Sequence, residues 1–108
     1  MNFIRKIDFT NTQDLLQNTD VKKAISDTLG LDAAGYTARL AANPVTSEKM
    51  GFLMAFDITA TSKVTLTIND TDIDLAANEK YSSKYPVAVW KLSFGSAATG
   101  SISMDIRR

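Results

Sequence analysis

There is no cysteine and no histidine among the 108 residues. Without thiols there can be no disulfide framework and no thiolate metal site, so packing or neighbouring subunits must hold the fold. The missing imidazole removes the Ser-His-Asp and Cys-His systems and the commonest general base and metal ligand. A lysine-assisted serine would be another route to acyl transfer, yet no serine is followed by lysine three positions later. Ser62-Lys63 and Ser83-Lys84 are adjacent pairs, which a strand would point to opposite faces. Glycine is sparse as well. Gly30, Gly35, Gly51, Gly95 and Gly100 match neither the dinucleotide fingerprint nor the phosphate-binding loop. No cofactor is expected, and the chain reads as a non-enzyme.

Charge of either sign is not in excess, since twelve basic residues offset twelve acidic ones. Affinity for nucleic acid comes largely from releasing counterions off phosphates, which rewards a basic surplus. No nucleic-acid partner is therefore expected. The pairs Arg5/Lys6, Lys22/Lys23 and Arg107/Arg108 read as solvated surface. Long apolar runs are absent too: the longest, residues 52–56, is far short of the ~20 residues that span a bilayer. The N-terminal residues lack the apolar stretch of a secretory signal, so synthesis in the cytoplasm and no membrane partner are expected.

What the sequence does have is a two-residue rhythm. Phe3, Arg5, Ile7 and Phe9 alternate with Asn2, Ile4, Lys6 and Asp8, as in a strand. Met50, Phe52, Met54, Phe56 and Ile58 share a face and predict a central strand. Val64, Leu66 and Ile68 point inward on another, and Asn69-Asp70 supplies a tight turn to a returning strand with Ile73 and Leu75. Residues 87–94 read as one strand carrying Trp90, Leu92 and Phe94. Residues 95–100 read as a loop of small side chains. The last strand buries Ile102, Met104 and Ile106 and shows Ser103, Asp105 and Arg107 to water. Tyr36, Ala38 and Leu40, alternating with Thr37, Arg39 and Ala41, predict a further strand ending at Asn43-Pro44.

One segment breaks the rhythm. Asn11 or Thr12 can cap a short turn carrying Leu15 and Leu16. Beyond it, Val21, Ala24, Ile25, Thr28 and Leu29 fall at helical spacing opposite Lys22, Lys23, Ser26 and Asp27, with Asp20 as N-cap and Gly30 as C-cap. This predicts one helix over about residues 20–29. The expected fold is a single mainly β domain, residues 1–108: an antiparallel sandwich or barrel of about seven short strands plus that helix.

Two clusters suggest a site. Asp70, Asp72 and Asp74 alternate like the start of a calcium loop, because calcium takes several hard oxygens. Leu75 stands where the loop needs glycine and Tyr81 where it needs glutamate. Surface carboxylates on the wet face of a strand explain the spacing better, and no metal is expected. Tyr36, Tyr81, Tyr85 and Trp90 could form a sugar-stacking platform. Trp90 shares a face with Leu92 and Phe94 and reads as core. The contact candidates are then Tyr81, Lys84 and Tyr85, in a polar loop, with Arg107 at the last strand.

Val64-Thr65-Leu66-Thr67-Ile68-Asn69, Leu75-Ala76-Ala77-Asn78-Glu79, Tyr85-Pro86-Val87 and Thr99-Gly100-Ser101-Ile102 together resemble small β-sandwich structural domains of tailed-bacteriophage virions, over about residues 58–106. The resemblance implies a virion component, assembled in the host cytoplasm: a decoration, head-completion or tail-associated protein. Its partners would be other copies of itself and other virion proteins. The segments 1–9 and 101–108 could add strands to a neighbour or pair with each other. A carbohydrate-binding β-sandwich module is the alternative function.

Overall fold

The computed structural model describes residues 5–41 and 51–107. The chain is mainly β, as the rhythm predicts. Seven strands form one antiparallel sheet: β1 (Arg5–Asp14), β2 (Phe52–Ala60), β3 (Val64–Ile68), β4 (Thr71–Leu75), β5 (Lys80–Ser82), β6 (Val87–Val89) and β7 (Leu92–Arg107). The sheet is compact without closing into a barrel. Phe3 and Met50 fall outside the described residues, as does the Asn43-Pro44 stop.

Register shows how few independent strands there really are. Ala60 lies opposite Gly100, and six residues along, Leu66 lies opposite Phe94, so β2 and β3 follow β7 without a slip. On their other edge Val64 faces Leu75 and Thr59 faces Lys80, again one register across a break. The sheet is therefore four long antiparallel ribbons, each bent at the same level. β1 bends at Asn11, where φ is 49°, and the β4–β5 link at Asn78, where φ is 64°. Asparagine tolerates this left-handed region because its short polar side chain can bond locally. Thr99 ties the bend together: its carbonyl accepts from the Thr61 N–H at 2.9 Å, and its hydroxyl accepts from the Asn11 N–H at 3.1 Å.

Residues 95–100, expected as a loop, lie inside β7, a strand of 16 residues. Their small side chains serve the bend. A Cβ on Gly100 would sit 1.9 Å from the Thr59 carbonyl, so only glycine lets the two backbones come this close. The stretch expected as one strand over 87–94 is instead split. Val89 pairs with Phe52 at the start of β2, while Leu92 pairs with Ile68 at the end of β3. Only Trp90 and Lys91 separate these points, so the two ends of the β2–β3 ribbon must curl together. Asn69 holds them there. Its Oδ1 accepts from the N–H groups of Trp90 (2.9 Å) and Lys91 (3.2 Å), its Nδ2 donates to the Ala88 carbonyl (2.8 Å), and its N–H donates to the Lys91 carbonyl (2.9 Å).

The core fills the inside of the curl. Phe9 and Phe94, on opposite sides of the bend, bring their rings to 5.6 Å. Met54, Ile58, Leu66, Leu92, Ile102 and Met104 are fully buried. Helix α1 (Thr19–Leu29) adds Val21, Ala24 and Ile25. Asn18, not Asp20, is its N-cap: Oδ1 accepts from the N–H groups of Asp20 and Val21, leaving Asp20 in the first turn beside the positive end of the dipole. Gly30, at φ 70°, is the C-cap expected of it.

Residues 36–41, expected as a strand, are helical together with residues 33–35. They form α2 (Ala33–Ala41), started by Asp32, whose Oδ1 accepts from the Gly35 N–H at 2.7 Å. Alanine and leucine suit either period, and the helix wins because it places Tyr36 and Leu40 on one face. Tyr36 is fully buried, stacks against Phe52 at 6.3 Å and donates its hydroxyl to the Leu16 carbonyl at 2.6 Å. It is an anchor, not a platform for a ligand. Asp105, expected in water, is also buried, at 7% exposure. Arg107, two residues on and on the same face, donates Nε and Nη2 to its carboxylate at 3.1 Å each. Residues 5–9 pair with 100–104, so the two chain-terminal strands pair with each other.

Replacing Asn69 by Ala removes three side-chain hydrogen bonds and leaves the left-handed backbone without the local bonding that makes it tolerable, and is expected to cost about 2–4 kcal/mol in urea unfolding. Asn69→Gly keeps the backbone freedom and is expected to cost less. Tyr36 gives a pH signature. Burial, and then the nearby Asp14 charge, raise its phenol well above the usual value. The folded state thus holds the proton more tightly than the unfolded one. That stability is fully present below pH ~10, where the unfolded phenol titrates, and falls as pH rises beyond it. Tyr36→Phe is expected to lose about 1–2 kcal/mol at neutral pH and to flatten the alkaline decline in denaturation curves.

Candidate binding cleft

Because the sheet curls without closing, one side stays open. The gap lies between the β3–β4 turn and the β5–β6 edge, and it forms a cleft of about 400 Å³. Its size is within the ~300–1,000 Å³ range of small-molecule sites. Phe56, Ile68, Ile73 and Val87 make an apolar floor. Tyr81 of β5 and Tyr85 beyond it line the cleft together with Asp70 and Thr71 of the β3–β4 turn and Trp90 of the β6–β7 link.

The aromatic wall is set by a bulge. Ser82 lies opposite Asp57 and Val87 opposite Met54, so four residues on this edge, 83–86, span two on β2. Bulges re-aim side chains at sheet edges. Here Ser83 anchors the insertion by exchanging bonds with Phe56: the Phe56 N–H donates to Ser83 Oγ and the Ser83 N–H to the Phe56 carbonyl, both at 2.9 Å. Ser83 Oγ in turn donates to the Tyr85 carbonyl at 3.1 Å. Lys84 is pinned at φ 69°, a conformation that costs an L side chain roughly 1–2 kcal/mol. The result is Tyr85 held out at 66% exposure. Tyr81 leans on the Phe56 ring at 6.1 Å.

Hydrogen-bonding capacity is unevenly spent. Asn69 and Ser83 are committed to the backbone. The Asp70 carboxylate and the hydroxyls of Thr71, Tyr81 and Tyr85 make no hydrogen bond among the described residues. Asp70 is the sole charged side chain of the lining among the described residues.

The sequence-predicted candidates separate. Tyr81 and Tyr85 meet in the cleft, with Lys84 exposed on the loop between them. Arg107 does not join them; it lies on the outer face of the sheet, opposite Leu53 and bound to Asp105. Asp72 and Asp74 sit on β4, each across from a threonine, and accept from Thr67 Oγ1 at 2.8 Å and Thr65 Oγ1 at 3.0 Å. Asp70 leaves them for the turn. Among the described residues no three acidic side chains converge as a metal site would require. Trp90 was expected in the core; it is half-buried and lines the cleft. Nothing in its own strand pattern signals this, because Asn69 from another turn sets its position. No helix among the described residues is long and apolar enough to cross a membrane.

A scan against family models, a search of curated proteins and a search of solved structures each find no match.

Lys84→Gly removes the left-handed penalty at the cost of a freer unfolded chain, and is expected to stabilise by about 0.5–1 kcal/mol in thermal or urea unfolding. A loss of stability there would mean that the Lys84 side chain contributes packing of its own.

Proposed function

We propose that this chain is a non-enzymatic assembly protein, a structural component of a phage-type virion, acting through protein–protein contacts with copies of itself and with other virion proteins. The observation that supports the reading is the edge of β1. Arg5–Phe9 is a regular run paired on one side with residues 100–104, and no other strand pairs with it among the described residues. Unpaired edges of this kind are templates for strand addition, and proteins that avoid it usually block them with lysine or proline. β1 carries Lys6, but exposed Asp8 lies two residues away on the same face. Two copies meeting antiparallel about Ile7 would set Lys6 of each opposite Asp8 of the other. The edge then selects a partner in one register. Ile7 and Phe9, meanwhile, stay in the core of their own copy.

The non-enzymatic part of the reading follows from the residue types. Among the described residues of the cleft lining a single carboxylate accompanies hydroxyls, with no imidazole, thiol or second carboxylate to share proton transfer.

Sedimentation velocity over a wide concentration range tests the reading. Reversible self-association is expected. Each cross-strand ion pair is worth roughly 0.2–1 kcal/mol, so turning two attractions into repulsions by Asp8→Lys is expected to weaken association about tenfold. The swapped pair Lys6→Asp with Asp8→Lys should restore it. A monomer at every concentration, with no binding to phage particles, overturns the reading.

A further inference from the structure

We infer that the cleft between the β3–β4 turn and the β5–β6 bulge is a binding site for an uncharged saccharide, one ring lying flat on Tyr85 and Tyr81 with its hydroxyl edge toward Asp70 and Thr71. This goes beyond the assembly reading and does not rest on it, since the cleft and the β1 edge share no residue.

The two walls of the cleft differ in kind. One side offers aromatic side chains, the other a carboxylate and a hydroxyl not engaged by any described residue. A pyranose ring differs in the same way: its axial C–H groups form an apolar face, and its hydroxyls project around the rim. Aromatic rings attract that C–H face, because their π-clouds are negative and their quadrupole favours a positive edge. A carboxylate suits the rim, as it accepts from two neighbouring hydroxyls at once and such charge-assisted bonds are the strong ones. The free tyrosine and threonine hydroxyls can both donate and accept, matching a ligand whose own groups do the same.

Charge narrows the ligand further. Among the described residues Asp70 is the sole charged side chain lining the cleft, with no lysine or arginine in the lining. A phosphate, sulfate or uronic acid would meet a negative group with nothing among the described residues to offset it, which argues against an anionic sugar. Preorganisation points the same way. The bulge holds Tyr85 at 66% exposure on a loop tied down at both Ser83 and Tyr85, with Lys84 kept at φ 69°. Strain retained at an exposed aromatic is what a ligand clamp shows, and an aromatic fixed in place loses little entropy when a ring stacks on it.

An array of neutral oligosaccharides, followed by calorimetric titration of the best ligand, tests the inference with the intact chain. Wild type is expected to retain neutral glycans. Tyr85→Ala and Asp70→Asn are each expected to weaken binding about tenfold or more, with unfolding midpoints unchanged because both side chains are exposed. Asp8→Lys, outside the cleft, is expected to bind sugar as wild type does, whatever it does to self-association. Absence of any retained neutral glycan overturns the inference, as does retention that survives both cleft substitutions. Tight binding of tetramethylammonium or an arginine-rich peptide in place of sugar would overturn it too, and would make the cleft a cation site.

Discussion

The structure depends on one constraint: β7 must serve two partners in succession without losing register. Its C-terminal half pairs with β2 and its N-terminal half with β3. A slip of one residue at the bend would turn every side chain of one half to the wrong face. The devices at the bend all serve that alignment. Gly100 lets the backbones close up, Asn11 and Asn78 absorb the turn in the neighbouring ribbons, and Thr99 bonds to both flanking ribbons. Once the ribbons bend together, the far ends of β2 and β3 meet, and the two-residue link at Trp90 and Lys91 becomes possible. Asn69 then secures a geometry that β7 has already imposed.

The cleft is a by-product of this curling. A barrel would bury the edges of β4 and of β5–β6 against each other. Here they stay apart, and the inner face of the sheet reaches water along the gap. Such an opening would normally be covered or made polar, because exposed apolar floor is unfavourable. In this chain the bulge at 83–86 holds Tyr85 exposed beside it instead, β5 contributes Tyr81, and the turn contributes Asp70 and Thr71. Backbone strain at Lys84 is kept next to the exposed Tyr85.

Much of this was legible. The inward faces of β2, β3 and β7 were readable because large apolar residues at period two have one stable arrangement. The same holds for α1, where helical spacing and Gly30 agree. Residues 36–41 were misread because alanine, threonine and leucine carry little period; the deciding bond comes from Asp32, and the deciding contact is Tyr36 on Phe52. Residues 95–100 looked like a loop because small side chains also mark sites where backbones cross closely. Asp105 looked solvent-facing because parity says nothing of Arg107 folding over it. At the cleft, Tyr81 and Tyr85 stand out in the sequence by their polar neighbours, while Trp90 reads as core and Asp70 as one of three surface carboxylates. Their places are fixed by Asn69 and the curl, which are tertiary facts.

The pairing of Arg5 with Met104 joins residues from opposite ends of the described chain. A contact of such long sequence separation must close nearly the whole chain as a loop before it contributes anything. During synthesis β1 therefore has no partner until β7 has left the ribosome. Its apolar residues Ile7 and Phe9 stay uncovered in the meantime, unless another strand takes β7's place. Whatever meets β1 in that interval competes for the same edge as the native fold.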